Sequence, residues 1–162
     1  MRTCYIIALG SNRRHGRYGA PRSVIDAAIA HLCAPGVQLI ARAPLFENRP
    51  IGPSTRRYTN GAILINTDEA PQNLLARLKD IERHFGRRRG QRWGARVIDL
   101  DIILWSGGIW ASRELIIPHP AFRQRSFVIT PLLHIAKHLR DPLSGLNIYH
   151  LKARLDRKKR RH

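Results

Sequence analysis

The chain has 162 residues, with 29 lysines and arginines against 11 aspartates and glutamates, a net charge of +18. Apolar residues make up 43% and charged residues 25%, the balance of a folded domain and not of a disordered polycation. No apolar run nears the roughly 20 residues of a membrane helix, and the two cysteines form no Cys-x-x-Cys pair, which excludes a cysteine-based zinc site.

Residues 4–9 read as a buried strand, too short for a signal-peptide core. With Cys4 and Cys33 both in apolar contexts, the expectation is a reduced, cytoplasmic chain. Gly10-Ser11-Asn12 turns the chain into a basic loop. Residues 23–32 read as a helix with Val24, Ile25, Ala28, Ile29 and Leu32 on one face, stopped by Pro35-Gly36. Residues 37–46 read as a strand, 47–57 as a loop, and 58–66 as a strand apolar on both faces. Residues 68–85 carry the clearest helical stripe, Leu74, Leu75, Leu78, Ile81 and Phe85, with Thr67 or Asp68 as cap and Gly86 past the end. An arginine-rich loop covers 87–96. A strand follows over 97–104, a short one near 115–117, a helix over 127–139 and a last short helix over 148–155. Pro131 is expected only near a first turn. Residues 1–156 read as one domain and 157–162 as a disordered basic tail. This order predicts an α+β, ferredoxin-like fold: a mainly antiparallel sheet covered by helices.

The charge skew implies an anionic partner, such as nucleotide phosphates or nucleic acid. The segment from Arg92 to Leu104 says most about which. On a strand, Asp99 and Asp101 project to one face about 6.5–7 Å apart, while Ile98, Leu100 and Ile102 point to a core. Two such carboxylates repel, and a hard divalent cation resolves the conflict. The competing reading is an edge strand with a wet polar face. Arg87, Arg88, Arg89, Arg92 and Arg96 flank the pair, and guanidinium forks bind phosphate bidentately. Beside the aspartates they read as a triphosphate clamp. His119, held extended between Pro118 and Pro120, and Arg125 can donate to a phosphate. Phe127 is core or a stacking platform. Tyr58 and Asn60 share a strand face and suit a flat heterocycle, although a hairpin-entry tyrosine and a turn asparagine fit the spacing too.

Together these segments resemble the 6-hydroxymethyl-7,8-dihydropterin pyrophosphokinase family of folate biosynthesis. The resemblance rests on Ile7-Ala8-Leu9-Gly10-Ser11-Asn12, then Gly52-Pro53 with Tyr58 and Asn60, then Glu82 and Gly86-Arg87. It continues through Arg92-Trp93-Gly94-x-Arg96-x-Ile98-Asp99-Leu100-Asp101-Ile102, Pro118-His119-Pro120, Arg125-x-Phe127 and Pro131-Leu132. It implies transfer of a diphosphoryl group from ATP to the hydroxymethyl of 6-hydroxymethyl-7,8-dihydropterin, with release of AMP. It implies two Mg²⁺ ions, with ATP, held by Asp99 and Asp101. Arg87, Arg92, Arg96, His119 and Arg125 would meet the triphosphate, and Glu82 the nucleotide pocket. Tyr58, Asn60, Trp93 and Phe127 would bind the pterin. A monomer that stays off membranes and passes its product to dihydropteroate synthase completes the expectation. The chain departs from the family pattern at Asn48, Ala95 and His134. Other readings are a degenerate family member, a basic nucleic-acid-binding module on the same fold, and a zinc site at His134 and His138.

Overall fold

The computed structural model describes residues 1–49, 56–86 and 97–161. Strand β1 (Thr3–Ser11) lies between β4 (Tyr58–Thr67) and β5 (Asp99–Trp105), antiparallel to both. Strands β2 (Val37–Arg42) and β3 (Phe46–Asn48) both pair with β4, and the order across the sheet is β2-β4-β1-β5. Strands β6 (Trp110–Ala111) and β7 (Ile116–Ile117) form a separate ribbon.

Helices cover both faces of the sheet. Alternate residues Tyr5, Ile7 and Leu9 of β1 pack with α1 (Pro21–Leu32) and α2 (Pro71–His84) in one core. The intervening Ile6 packs with α3 (Ser126–Ala136) and α4 (Ile148–Arg160) in a second. The β1–β5 register slips between Ile6 and Ile7, which pair with Leu104 and Ile102. Ile103 is the extra residue of a bulge, so Ile103 and Leu104 both reach the second core.

The structure moves several expected boundaries. The strand expected over 37–46 is two strands, because Pro44 cannot donate to the ladder; β3 takes up part of the expected 47–57 loop. Helix α2 starts at Pro71 and not near Asp68. Its N-cap is Ala70 with no side-chain bond, while Thr67 Oγ1 accepts the Glu69 N–H. The proline supplies a helical φ where an N–H has no partner anyway. Gly86 takes a left-handed φ of 98° just past the helix, as expected. Pro131 stands buried well inside α3 and not near a first turn. Helix α3 ends at Ala136, short of the expected 139. Helix α4 runs on to Arg160, so residues expected as a disordered tail form its last turn. Its N-cap is Asn147, whose Oδ1 accepts the His150 N–H at 2.9 Å.

Candidate active site

The site forms on the sheet face that carries α3 and α4. Asp99 opposes Gly10, which opposes Asn60, which opposes Phe46. One step along, Asp101 opposes Ala8, which opposes Ala62. Ile98, Leu100 and Ile102 lie in the first core, so period-2 alternation puts both aspartates on the other face, as expected. Both are half-buried. Their cross-strand neighbours carry a methyl group or no side chain at all, which keeps the floor beside the carboxylates low. A Cβ on Gly10 would meet Asn60 Oδ1 at 3.3 Å and Tyr58 Cδ1 at 3.7 Å. Glycine therefore leaves room for Tyr58 and Asn60 to lie close over β1 at this position.

Among the described residues, no group of three or more His, Cys, Asp and Glu side chains is placed to hold a metal. Among the described residues, a zinc site at His134 and His138 has no third ligand of that kind. The two aspartates supply only hard oxygen donors. They fit Mg²⁺, which takes one or two carboxylates and fills its shell with water and substrate oxygens.

The segment after β7 brings His119 over this face. The Ile117–Pro118 peptide is cis, and the His119 N–H donates to the Ile103 carbonyl at 3.0 Å, fastening the segment to the bulge of β5. His119 Nδ1 accepts the Ala121 N–H at 3.2 Å, so the proton of the neutral ring sits on Nε2, a donor. Burial lowers the His119 pKa, the Asp101 carboxylate pulls it up, and the Arg125 guanidinium pushes it down again. The three groups thus share one electrostatic neighbourhood. Arg125 Cζ stands 5.9 Å from the centre of the Phe127 ring, and Phe127 leans on the second core with part of the ring exposed.

Asn60 is buried and donates through Nδ2 to Asn48 Oδ1 across the β3–β4 pair. That bond uses one amide hydrogen and leaves Asn60 Oδ1 beside Gly10. Arg87, Arg92, Trp93 and Arg96, expected in the site, lie outside the described residues, as does Ala95.

A family model described as 7,8-dihydro-6-hydroxymethylpterin-pyrophosphokinase (HPPK) matches residues 6–137. A 2-amino-4-hydroxy-6-hydroxymethyldihydropteridine pyrophosphokinase of Methylorubrum extorquens is 34% identical over 152 residues, 93% of this chain and 92% of that protein. The protein of the same name from Pseudomonas aeruginosa is 39% identical over 138 residues, 84% of this chain and 82% of its own length. The chain belongs to the HPPK family. Its fold is also that of a solved Plasmodium falciparum HPPK-DHPS with pteroate, at a TM-score of 0.75 and 13% identity. The match covers 99% of this chain but 44% of that one, so the chain spans less than half of that structure.

Within this HPPK chain Glu82 does not sit on the aspartate face. It is buried at 1% exposure on α2, Oε1 accepts the Leu100 N–H at 3.0 Å, and Oε2 pairs with Lys79 Nζ at 3.2 Å. Its carboxylate thus grips the backbone between the two aspartates. Sequence reasoning also missed how Arg123 and Asp141 anchor the His119–Arg125 segment. Asp141 is fully buried and takes a fork from Arg123, Nε to Oδ2 at 2.7 Å and an η nitrogen to Oδ1 at 2.6 Å. Ser144 Oγ donates to Oδ2 at 2.6 Å, and the Leu143 N–H donates to Oδ1 at 3.2 Å. Burial pushes the Asp141 carboxyl up, but these donors and the Arg123 charge overcome it and hold the group at about 2. The signal available in the sequence was the Asp141-Pro142-Leu143-Ser144-Gly145 turn.

Proposed function

We propose that the chain carries out the reaction its family is named for. The pterin hydroxymethyl oxygen attacks the β-phosphorus of ATP, and the bond from that phosphorus to the α,β-bridging oxygen breaks. AMP leaves with the bridging oxygen, and the hydroxyl proton goes to water. Such a transfer asks the protein for in-line positioning and charge neutralisation, with little covalent work. The observation that carries the reading is the row Asp99–Gly10–Asn60, with His119 and Arg125 beside Asp101.

In this reading Asp99 and Asp101 hold two Mg²⁺ ions. When bound, the ions neutralise triphosphate charge and orient its oxygens. His119 donates through Nε2–H to a phosphate oxygen, and Arg125 adds a guanidinium donor. Arg87, Arg92 and Arg96 complete the clamp. Asn60 hydrogen-bonds the pterin edge, and Tyr58, Phe127 and Trp93 supply its apolar walls. Glu82 acts on ATP through β5, as a positioning residue. Residues 1–156 form the catalytic unit, which acts as a cytoplasmic monomer and hands its diphosphate ester to dihydropteroate synthase.

The test is AMP release from Mg²⁺-ATP with and without 6-hydroxymethyl-7,8-dihydropterin. Pterin-dependent AMP that disappears in an Asp99→Asn/Asp101→Asn double variant is the expected result. A folded protein that makes no AMP overturns the reading and leaves a degenerate family member.

A further inference from the structure

The catalytic reading accounts for a few arginines and leaves most of the +18 unexplained. Much of the excess stands on α4. Arg154, Arg157, Lys158, Lys159 and Arg160 are exposed along it, with Arg161 just past its end. The acid in this stretch, Asp156, is held by Lys152 Nζ at 2.6 and 2.7 Å.

This pattern is more than helix stabilisation asks for. A cation or two in the last turn complements the helix dipole. Here Arg154–Lys158 and Arg157–Arg161 are like-charge pairs at i,i+4, and Arg154–Arg157, Arg157–Arg160 and Lys158–Arg161 are like-charge pairs at i,i+3. Each opposes the helix by a few tenths of a kcal/mol. Helix periodicity puts Arg154, Arg157, Lys158, Arg160 and Arg161 on one half of the surface, with exposed Tyr149 and His150 at its N-terminal end. A polyanion laid along this half would relieve the repulsion.

We propose that the exposed face of α4 binds the phosphate backbone of a nucleic acid, as a function separate from the catalytic site. A lipid surface fits less well. The large aliphatic residues of α4, Ile148, Leu151 and Leu155, are buried in the second core, which leaves Tyr149 as its exposed large apolar side chain and no aliphatic one to insert among acyl chains. The stripe from Tyr149 to Arg161 is about 18 Å long. That matches about five stacked nucleotides at roughly 3.4 Å each. Tyr149 is 62% exposed, so a ring face is free to stack on a base at one end of the cationic track. Since α4 is packed on one side, recognition is of backbone and stacking, with no sequence readout.

The experiment is fluorescence anisotropy of the full chain with a 5′-labelled 12-nucleotide polyuridine, a labelled DNA duplex, and phosphatidylserine vesicles. The expected result is binding to the oligonucleotides that persists under saturating Mg²⁺-ATP. With three or four phosphates neutralised, binding weakens about twentyfold to fiftyfold for the single strand and about 40-fold to 150-fold for the duplex between about 50 and 200 mM salt. Arg157→Gln/Lys158→Gln/Arg160→Gln/Arg161→Gln, which keeps good helix formers, loses at least tenfold in affinity. Arg13→Gln/Arg14→Gln/Arg22→Gln/Arg113→Gln, with the same net charge, stays within threefold of the parent. Tyr149→Ala weakens the single strand more than the duplex. Equal losses in the two quadruple variants would overturn the assignment to α4. Displacement by Mg²⁺-ATP, or binding to vesicles without binding to oligonucleotides, would overturn the proposal as a whole.

Discussion

The Glu82 carboxylate accepts the Leu100 N–H at 3.0 Å, so the backbone unit between Asp99 and Asp101 is fastened from helix α2. β5 is the outer strand in the order β2-β4-β1-β5, and on the described chain no strand lies beyond it to take that N–H. Glu82→Leu strands a buried donor and is expected to cost about 1–3 kcal/mol in urea unfolding. Glu82→Gln keeps an acceptor and should recover part of that loss. If the contact positions the aspartates, kcat falls in Glu82→Leu and is partly restored in Glu82→Gln, with KM for ATP changing less than kcat.

Asp101 stands half-buried beside His119 and across from Ala8. Asp101→Asn keeps the shape and removes a hard charged oxygen. Turnover should drop about a hundredfold or more, on the scale of losing one preorganised electrostatic partner. Stability without Mg²⁺ should stay within about 0.5 kcal/mol, because one of two neighbouring like charges is gone. Parallel AMP assays and thermal melts check both halves. A variant that unfolds early would mean the carboxylate is structural.

At Gly10 the nearest obstacles to a Cβ are Asn60 Oδ1 at 3.3 Å and Tyr58 Cδ1 at 3.7 Å. Gly10→Ala should therefore fold, with the asparagine amide displaced by a few tenths of an ångström. The expected cost is about 1–2 kcal/mol of misfit at the pterin side, or about fivefold to thirtyfold in kcat/KM for pterin. The value for ATP should change much less. Steady-state kinetics with each substrate varied in turn decides it.

The Asp141 carboxyl sits at about 2 in the fold against 3.8 when free. A depressed acid stabilises the folded state above its free pKa and loses that contribution as pH falls through the folded value. The window is therefore about pH 4 down to about pH 2, and nearly two pH units correspond to about 2 kcal/mol. Urea midpoints at pH 6, 4 and 2.5 should converge between the parent and Asp141→Asn as pH falls. Arg123→Met, which leaves a buried carboxylate with fewer donors, should cost about 3–5 kcal/mol at pH 6.

What was legible in the sequence followed from short-range geometry. The face shared by Asp99 and Asp101 needs only a period of two, and Gly86 needs only a left-handed position after a helix. The sequence gives no sign that Glu82 holds the Leu100 N–H, because that partner lies 18 residues away. Nothing local to α2 says that β5 will be an outer strand there. Asn48 and Asn60 are 12 residues apart and meet only because β3 pairs with β4 in one register. Backbone rules alone put Pro131 near a first turn; in the structure it stands buried further along α3, where tertiary packing overrides that preference. The last turn of α4 was read as tail because its composition is that of a solvated segment, while Leu151 and Leu155 anchor the helix that carries it.

The bulge at Ile103 divides β5 into two stretches whose side chains follow independent phase. Upstream, the alternation delivers two carboxylates to the α3/α4 face; downstream, it restarts with Ile103 and Leu104 both in the core on that same face and Trp105 back against the first. The irregularity therefore works as a buffer. Substitutions or a one-residue length change beyond it can re-thread the wall around α3 while Asp99 and Asp101 keep their orientation. A change beyond Ile103 is therefore expected to cost packing in the second core, where Leu104 is 1% exposed, without turning the aspartates, whereas a register change before it would turn them off their face.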